Sequence, residues 1–277
     1  MKVQEIEDLC NQYGIVIDVE SINQHFMINH KILKDIVKAA EIQDDDVVLE
    51  IGPGLGFLTA ELAQKARKVI CVEIDEQFRP ILQKLQEKYP NVEVIYGNAL
   101  KIELPRFNKL VSNIAYNLAE PLLLRLLYEK FELGVMTLSQ YFAEKLAFPE
   151  KQKQKIKFSV IMQSYFESEI VETISPENFY PAPKIDSAIL KFKPVKKSEL
   201  KGLKLLVRLL FEQRYSKVKN ALRNCLNEYE GKTKRESREI IKKQNFSEEV
   251  LEKLVDNISS EEFEDILEFF YALSSDK

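Results

Sequence analysis

The most constraining feature of this chain is a short apolar run that stops at a glycine turn. Val47-Val48-Leu49-Glu50-Ile51 is apolar and β-branched, and Gly52-Pro53-Gly54-Leu55-Gly56 follows it directly. Such a run reads as a buried strand. Glycines after it let the backbone turn sharply and come close to a ligand. Residues 59–66 then read as a helix, and the alternation continues down the chain. Strands are expected at 69–72, 92–96, 109–111 and 135–138, and helices at 76–88 and 120–128. Phe78, Ile81, Leu82 and Leu85 stand at helical spacing in the first of these helices. A later run, 185–192, alternates apolar and polar residues and reads as one more strand. Strands alternating with helices imply an α/β fold, with a mostly parallel sheet covered on both faces.

Two further positions give this frame a chemistry. Glu73 ends the second strand, 21 residues after Gly52. An acid there can accept hydrogen bonds from both hydroxyls of a ribose, so turn and acid together point to an adenosine-type ligand. The turn is Gly-x-Gly-x-Gly, looser than the form that places a helix N-terminus on a pyrophosphate. A dinucleotide and S-adenosylmethionine both remain open at this point. Ser112-Asn113-Ile114-Ala115-Tyr116 follows the fourth strand. The lone pair of an exocyclic adenine amine is delocalised into the ring, so the amine is a poor nucleophile. The Asn113 amide oxygen and a neighbouring backbone carbonyl can accept its two hydrogens and hold the nitrogen in line for attack. Tyr116 can stack on a base turned out of its helix. This loop favours S-adenosylmethionine as the ligand.

After Pro194 the pattern becomes helical. Residues 203–222 read as one helix, and 247–273 as two short helices with acidic faces, capped by Ser247 and by Ser259 or Ser260. The domains are therefore expected at 1–193 and 194–277. The formal net charge of −4 counts against a nucleic-acid binder, but the charge is segregated. Residues 191–223 hold eleven Lys and Arg against Glu199 and Glu212, whereas the chain after Gln244 is acidic. Such a distribution suits one basic face. Cys10, Cys71 and Cys225 show no metal-ligand spacing, and their odd number argues against a disulfide framework. No metal site, a reducing cytoplasmic setting and no membrane span are expected.

These residues resemble the family of ribosomal RNA adenine N6-dimethyltransferases that act near the 3′ end of the small-subunit RNA. The resemblance runs from about Asn23 to about Arg223. Asn23-Gln24-His25-Phe26-Met27 resembles the family's Gln-Asn-Phe-Leu segment, and residues 50–56 resemble its Glu-Ile-Gly-Pro-Gly-Leu-Gly turn. Val72-Glu73-Ile74-Asp75, Gly97-Asn98-Ala99 and Asn113-Ile114-Ala115-Tyr116 resemble its ribose acid, Gly-Asp-Ala and Asn-Leu-Pro-Tyr motifs. The most specific match is Phe179-Tyr180-Pro181-Ala182-Pro183-Lys184-Ile185-Asp186-Ser187, similar to Phe-x-Pro-x-Pro-x-Val-x-Ser.

The resemblance implies a Rossmann-like S-adenosylmethionine-binding sheet with a small helical C-terminal domain that contacts RNA. It implies a monomer acting on small-subunit ribosomal RNA or a pre-ribosomal subunit. It also implies that His25, Met27, Gly52, Gly54, Glu73, Asn98 and Asn113 line the cofactor site, with Glu73 on the ribose and Asn98 on the adenine amine. Asn113, Tyr116 and Phe179 would hold the target base.

The chain departs from the family pattern at four places. Asn98 replaces Asp, which removes charge assistance from a hydrogen bond. Ala115 replaces a proline, which removes a fixed φ. His25 replaces Asn, and residues 140–159 read differently from the family's Lys-Glu and glycine loop. The family's basic cluster is also thinned, to Arg214-Tyr215-Ser216-Lys217. Two alternatives follow: a weakened paralogue that binds RNA or assembling ribosomes, and a methyltransferase for another RNA.

Overall fold

The computed structural model describes residues 2–19, 24–147 and 157–275. Asn23 and the lysine-glutamine run at 151–155 lie outside them. The chain divides into two compact units, one of residues 1–147 with 168–194, the other of 148–167 with 195–277.

The first unit is built on a sheet of seven strands. They are β2 (Val47–Ile51), β3 (Lys68–Glu73), β4 (Val92–Tyr96), β5 (Lys109–Asn113), β6 (Leu133–Ser139), β7 (Phe166–Ile174) and β9 (Ser187–Pro194). Their order is β4-β3-β2-β5-β6-β9-β7. The first five in that order pair in parallel, and β9 runs antiparallel to β6. Alternate side chains of the inner strands (Val48, Val69, Val111, Val135, Ile189) join one core with α2 (His30–Ala39) and α3 (Phe57–Ala63). Ile32, Leu33, Ile36 and Val37 lie on one face of α2 and are all buried there, as the helical period requires. A second core gathers Ile6 and Cys10 of α1 (Val3–Tyr13), together with Phe78, Ile81 and Leu82 at the start of α4 (Arg79–Lys88). A two-residue strand, β1 (Phe26–Met27), pairs antiparallel with β8 (Phe179–Tyr180).

The chain winds from β2 outward through β3 to β4, then returns to lay β5 on the other side of β2. That reversal is the topological switch point, where open α/β sheets bind ligands outside the carboxyl ends of their strands. The β2–β5 pairing is short, with Val48 opposite Lys109 and Leu49 opposite Leu110. Beyond it the Ile51 N–H donates to Ser112 Oγ at 2.9 Å instead. The side chain satisfies a buried donor where the ladder stops.

The second unit contains α7 (Lys157–Tyr165), α8 (Gly202–Phe211), α9 (Val218–Glu230), α10 (Lys234–Lys242), α11 (Glu248–Glu252) and α12 (Ser260–Ser275). It takes in α7, which a boundary at Pro194 assigns to the first domain. Arg208 of α8 accounts for this. Its guanidinium lies 3.8 Å from the centre of the Tyr165 ring and donates to the Ser164 and Val195 carbonyls. The single helix expected at 203–222 is two helices, separated at residues 212–217. Ser247 caps α11, and Ser259 forms a reciprocal pair with Glu262 at the start of α12.

Candidate active site

A cavity opens at the switch point, and its walls come from the ends of three neighbouring strands. Gly52 and Gly54 follow β2, Glu73 ends β3, and Asn113 ends β5. Gln24, His25, Phe26 and Met27 close it from the β1 segment. The turn needs its glycines. Gly52, Gly54 and Gly56 have φ of +69°, +51° and +77°, values that L side chains rarely adopt. A Cβ on Gly54 would stand 2.8 Å from Phe26 Cε1, whereas one on Gly52 would meet nothing within 4 Å. The turn is therefore packed on one side and open on the other.

Glu73 is buried, and both its oxygens are anchored. Oε2 accepts from Gly54 N–H at 3.0 Å, and Oε1 from Asp75 N–H at 2.8 Å. Burial raises its pKa above the ordinary carboxylate value, and these backbone donors pull it back. Each oxygen keeps a lone pair for a further donor, as two ribose hydroxyls require. Ile74, the next residue, also lines the cavity although it is 59% exposed. It adds an apolar face to the cavity wall beside Glu73. An apolar residue between two acids at a strand end is a readable signal, and the sequence reading missed it.

Glu50 sits deeper. It is 1% exposed and accepts from Thr59 Oγ1 at 2.7 Å, with Cys71 Sγ at 3.6 Å. Burial pushes its pKa up to about 8, so it is largely protonated at neutral pH.

The Asn113 loop has a defined polarity. Asn113 Nδ2 donates to the His25 carbonyl at 3.1 Å. A carbonyl can only accept, so this bond fixes which end of the amide is which and leaves Asn113 Oδ1 available. Ala115 O accepts from Leu118 N–H at 2.9 Å, and among the described residues no turn or cap bond goes to the Ile114 carbonyl. The Tyr116 hydroxyl bonds Ser187 Oγ at 2.5 Å, and its ring stacks on His25 with centroids 6.0 Å apart. The His25 ring is held in turn by Nδ1, 2.7 Å from the Pro181 carbonyl. Burial raises the Tyr116 pKa, and the Ser187 bond opposes that rise. Ser187 is the last residue of the proline-rich signature, so the motif reaches the loop through a hydroxyl.

Of the residues named from sequence, His25, Met27, Gly52, Gly54, Glu73 and Asn113 line this cavity. Asn98, Tyr116 and Phe179 are not among its lining residues. Asn98 Oδ1 accepts from Leu100 N–H at 2.8 Å, closing a turn after β4. Phe179 is 3% exposed and lies in the core with Met27 and Ile174. Among the described residues no group of three or more His, Cys, Asp and Glu side chains could hold a metal ion.

Comparisons with known proteins agree on one family. The profile of the ribosomal RNA adenine dimethylase family matches residues 19–265. A relative from Pyrococcus abyssi, described as "Probable ribosomal RNA small subunit methyltransferase A", is 39% identical over 215 residues, covering 78% of this chain and 79% of its own. A relative of the same description from Methanothermobacter thermautotrophicus is 33% identical over 271 residues, 98% of this chain and 97% of its own. A dimethyladenosine transferase from Plasmodium falciparum has a similar structure, with a TM-score of 0.60 and 26% identity over 89% of this chain and 98% of that one. The 23S ribosomal RNA methyltransferase ErmE matches with a TM-score of 0.59 and 26% identity, over 88% and 98%.

Proposed function

Because the chain belongs to the ribosomal RNA adenine dimethylase family, we propose that it dimethylates adenine N6 near the 3′ end of small-subunit ribosomal RNA. The observation that carries this reading is the orientation of Asn113, whose amide is turned by the His25 carbonyl so that Oδ1 remains open. S-adenosylmethionine, when bound, supplies a methyl group activated by a sulfonium. The site suits it, with an open glycine turn at Gly52, a ribose acceptor at Glu73 and an apolar face at Ile74. Asn98 is proposed as a further contact to the cofactor's amine.

Asn113 Oδ1 and the Ile114 carbonyl accept the two N6 hydrogens and hold the nitrogen for in-line attack. No base is required before attack, because the proton leaves afterwards. Tyr116 stacks on the extruded base, its ring fixed by Ser187 and His25. Phe179 enters this reading as the packing opposite Met27 that holds β1 against the site. Among the described residues no helix is long and apolar enough to cross a membrane, and the three cysteines are free thiols. We place the protein in the cytoplasm, acting as a monomer on assembling subunits.

The test is transfer of labelled methyl from S-adenosylmethionine to small subunits that lack the modification. Label is expected in N6-dimethyladenine. Asn113→Ala is expected to cost roughly 10²–10³-fold in rate, the usual effect of removing one pre-oriented polar group from a reacting centre. Label in large-subunit RNA only would move the assignment towards the activity named for ErmE. Binding of cofactor and subunits without transfer would leave an RNA-binding protein.

A further inference from the structure

The basic stretch at residues 191–223 is the obvious place to look for the RNA-binding surface, and the structure shows most of it neutralised. Lys191 pairs with Glu41 at 2.6 Å and Glu169 at 3.5 Å. Lys197 pairs with Glu212 and Glu228 at 2.7 and 2.9 Å. Arg208 pairs with Glu212 and turns inward to backbone carbonyls. Lys217 and Lys219 both close on Glu252. A cation already held by a carboxylate releases little counterion charge when it meets a phosphate.

Positive charge also collects along one groove of the second unit, and there only part of it is held by carboxylates. A groove between α9 and α10 is lined by Lys219 and Arg223 from the first helix and Arg235, Arg238 and Lys242 from the second. Glu239 is the one carboxylate among the lining residues, and it pairs with Arg235 at 3.3 Å. Among the described residues Arg238 and Lys242 have no ion-pair partner. Arg223 donates to the Lys219 carbonyl and the Asn220 amide, neither of them charged. The placement is regular. Residues 219 and 223 share one face of α9, and 235, 238 and 242 share one face of α10, a row about 10 Å long at 1.5 Å per residue. The buried side of α10 is Ser237 and Ile241, so packing fixes which face meets the groove. Like charges gathered this closely repel one another, and a bound polyanion relieves that cost.

We propose that the α9–α10 groove is a docking site for the phosphate backbone of the RNA substrate, centred on Arg223, Arg238 and Lys242. The proposal rests on the RNA methyltransferase reading. The sugar-phosphate chain is the occupant because the groove offers forked guanidinium donors and a point charge, and no aromatic face for bases. The site therefore contributes affinity and register, and leaves the choice of adenine to the cavity at the switch point.

The test uses the full chain and small ribosomal subunits lacking the modification. Binding is titrated from about 50 to 200 mM salt. Methyl transfer is measured in parallel. Arg238→Ala/Lys242→Ala is compared with Lys201→Ala/Lys204→Ala, two exposed lysines within the stretch singled out from sequence. Both pairs lie at the surface, so both double variants should fold. The groove pair is expected to weaken binding tenfold or more. It should lower the slope of log affinity against log salt by roughly two, because each lost phosphate contact removes about 0.9. KM should rise while kcat at saturating subunit stays near wild type. Equal effects of the two pairs, or an unchanged slope in the groove pair, overturn the proposal. Wild-type transfer with no difference between the pairs overturns the groove alone, whereas absence of wild-type transfer overturns the enzyme reading as well.

Discussion

At the scale of single residues, the site depends on groups that face the reacting atoms only indirectly. Asn113 is oriented by a backbone carbonyl, and Tyr116 by a serine hydroxyl and an imidazole face. Loss of the loop's proline matters less than the sequence suggests, because Ala115 holds φ at −60°, the value a proline would impose. Glu50 allows a quantitative statement. Its folded pKa of about 8 lies above the 4.5 of the free group. Between those values the folded state holds a proton that the unfolded chain has released, so stability falls as pH rises. The contribution is complete below pH 4.5 and is lost by the time the pH passes about 8. At 1.36 kcal/mol per unit, the whole window is worth on the order of 5 kcal/mol. Glu50→Gln keeps an acceptor for Thr59 and removes the titration. Its melting temperature is expected to decline less between pH 5 and 8 than that of wild type, since only groups such as Glu73, whose pKa burial also raises, still titrate there. Parallel melting curves for the two proteins would overturn this account.

At the scale of elements, the sheet was legible because its strands are apolar runs closed by punctuation. The glycine turn, Glu73 and Asn113 all mark strand ends and could be named from their place in the strand pattern, whereas His25 and Met27, which also line the cavity, were named only through the family resemblance. Three things were not legible. Residues 203–222 keep a helical apolar period throughout, yet the helix breaks at 212–217. There the chain exchanges bonds with a distant segment: Val218 N–H donates to Lys253 O, Val255 N–H to Ser216 O, and Asp256 N–H to Arg214 O. Long-range bonds of this kind leave no local trace. α10 was missed because its only apolar residues are Ile240 and Ile241. Phe179 reads as a stacking residue from its motif, while pairing of β8 with β1 turns it into the core. The β6–β9 pair makes a prediction at this scale. Gly134 lies opposite Phe192, and a Cβ on it would overlap the buried Phe192 ring. Gly134→Ala is expected to cost about 1–3 kcal/mol in urea unfolding, as overpacking of a core does. Wild-type stability in that variant would show that the ring can move aside.

At the scale of the molecule, the net charge of −4 hides two opposed blocks. Residues 195–243 carry fifteen Lys and Arg against six Asp and Glu, and residues 244–277 carry ten acids against two lysines. The acidic block reaches the basic one at Glu252, while Lys197 and Arg208 are held by Glu212 and Glu228 within the basic block itself. Glu252 is the clearest case, since Lys217 and Lys219 hold its carboxyl down to about pKa 2. The carboxylate therefore stays ionised at every pH at which the protein would work, and salt or a competing anion, not protonation, is what loosens the pair. Lys217 also lies in the segment that resembles the family's basic cluster, so this carboxylate masks charge in two places, there and at the edge of the α9–α10 groove. Glu252→Gln removes the competing anion and leaves both lysines in place. If whole-molecule charge segregation sets RNA affinity, the variant should bind small subunits several-fold more tightly at low salt. Its salt slope should steepen by up to about two, one increment of roughly 0.9 for each freed lysine. The gain should vanish when Lys217 and Lys219 are replaced by alanine in the same background. A variant that binds no more tightly, with an unchanged slope, would mean that the freed lysines do not reach the RNA and that the acidic block serves the helical unit's own packing alone.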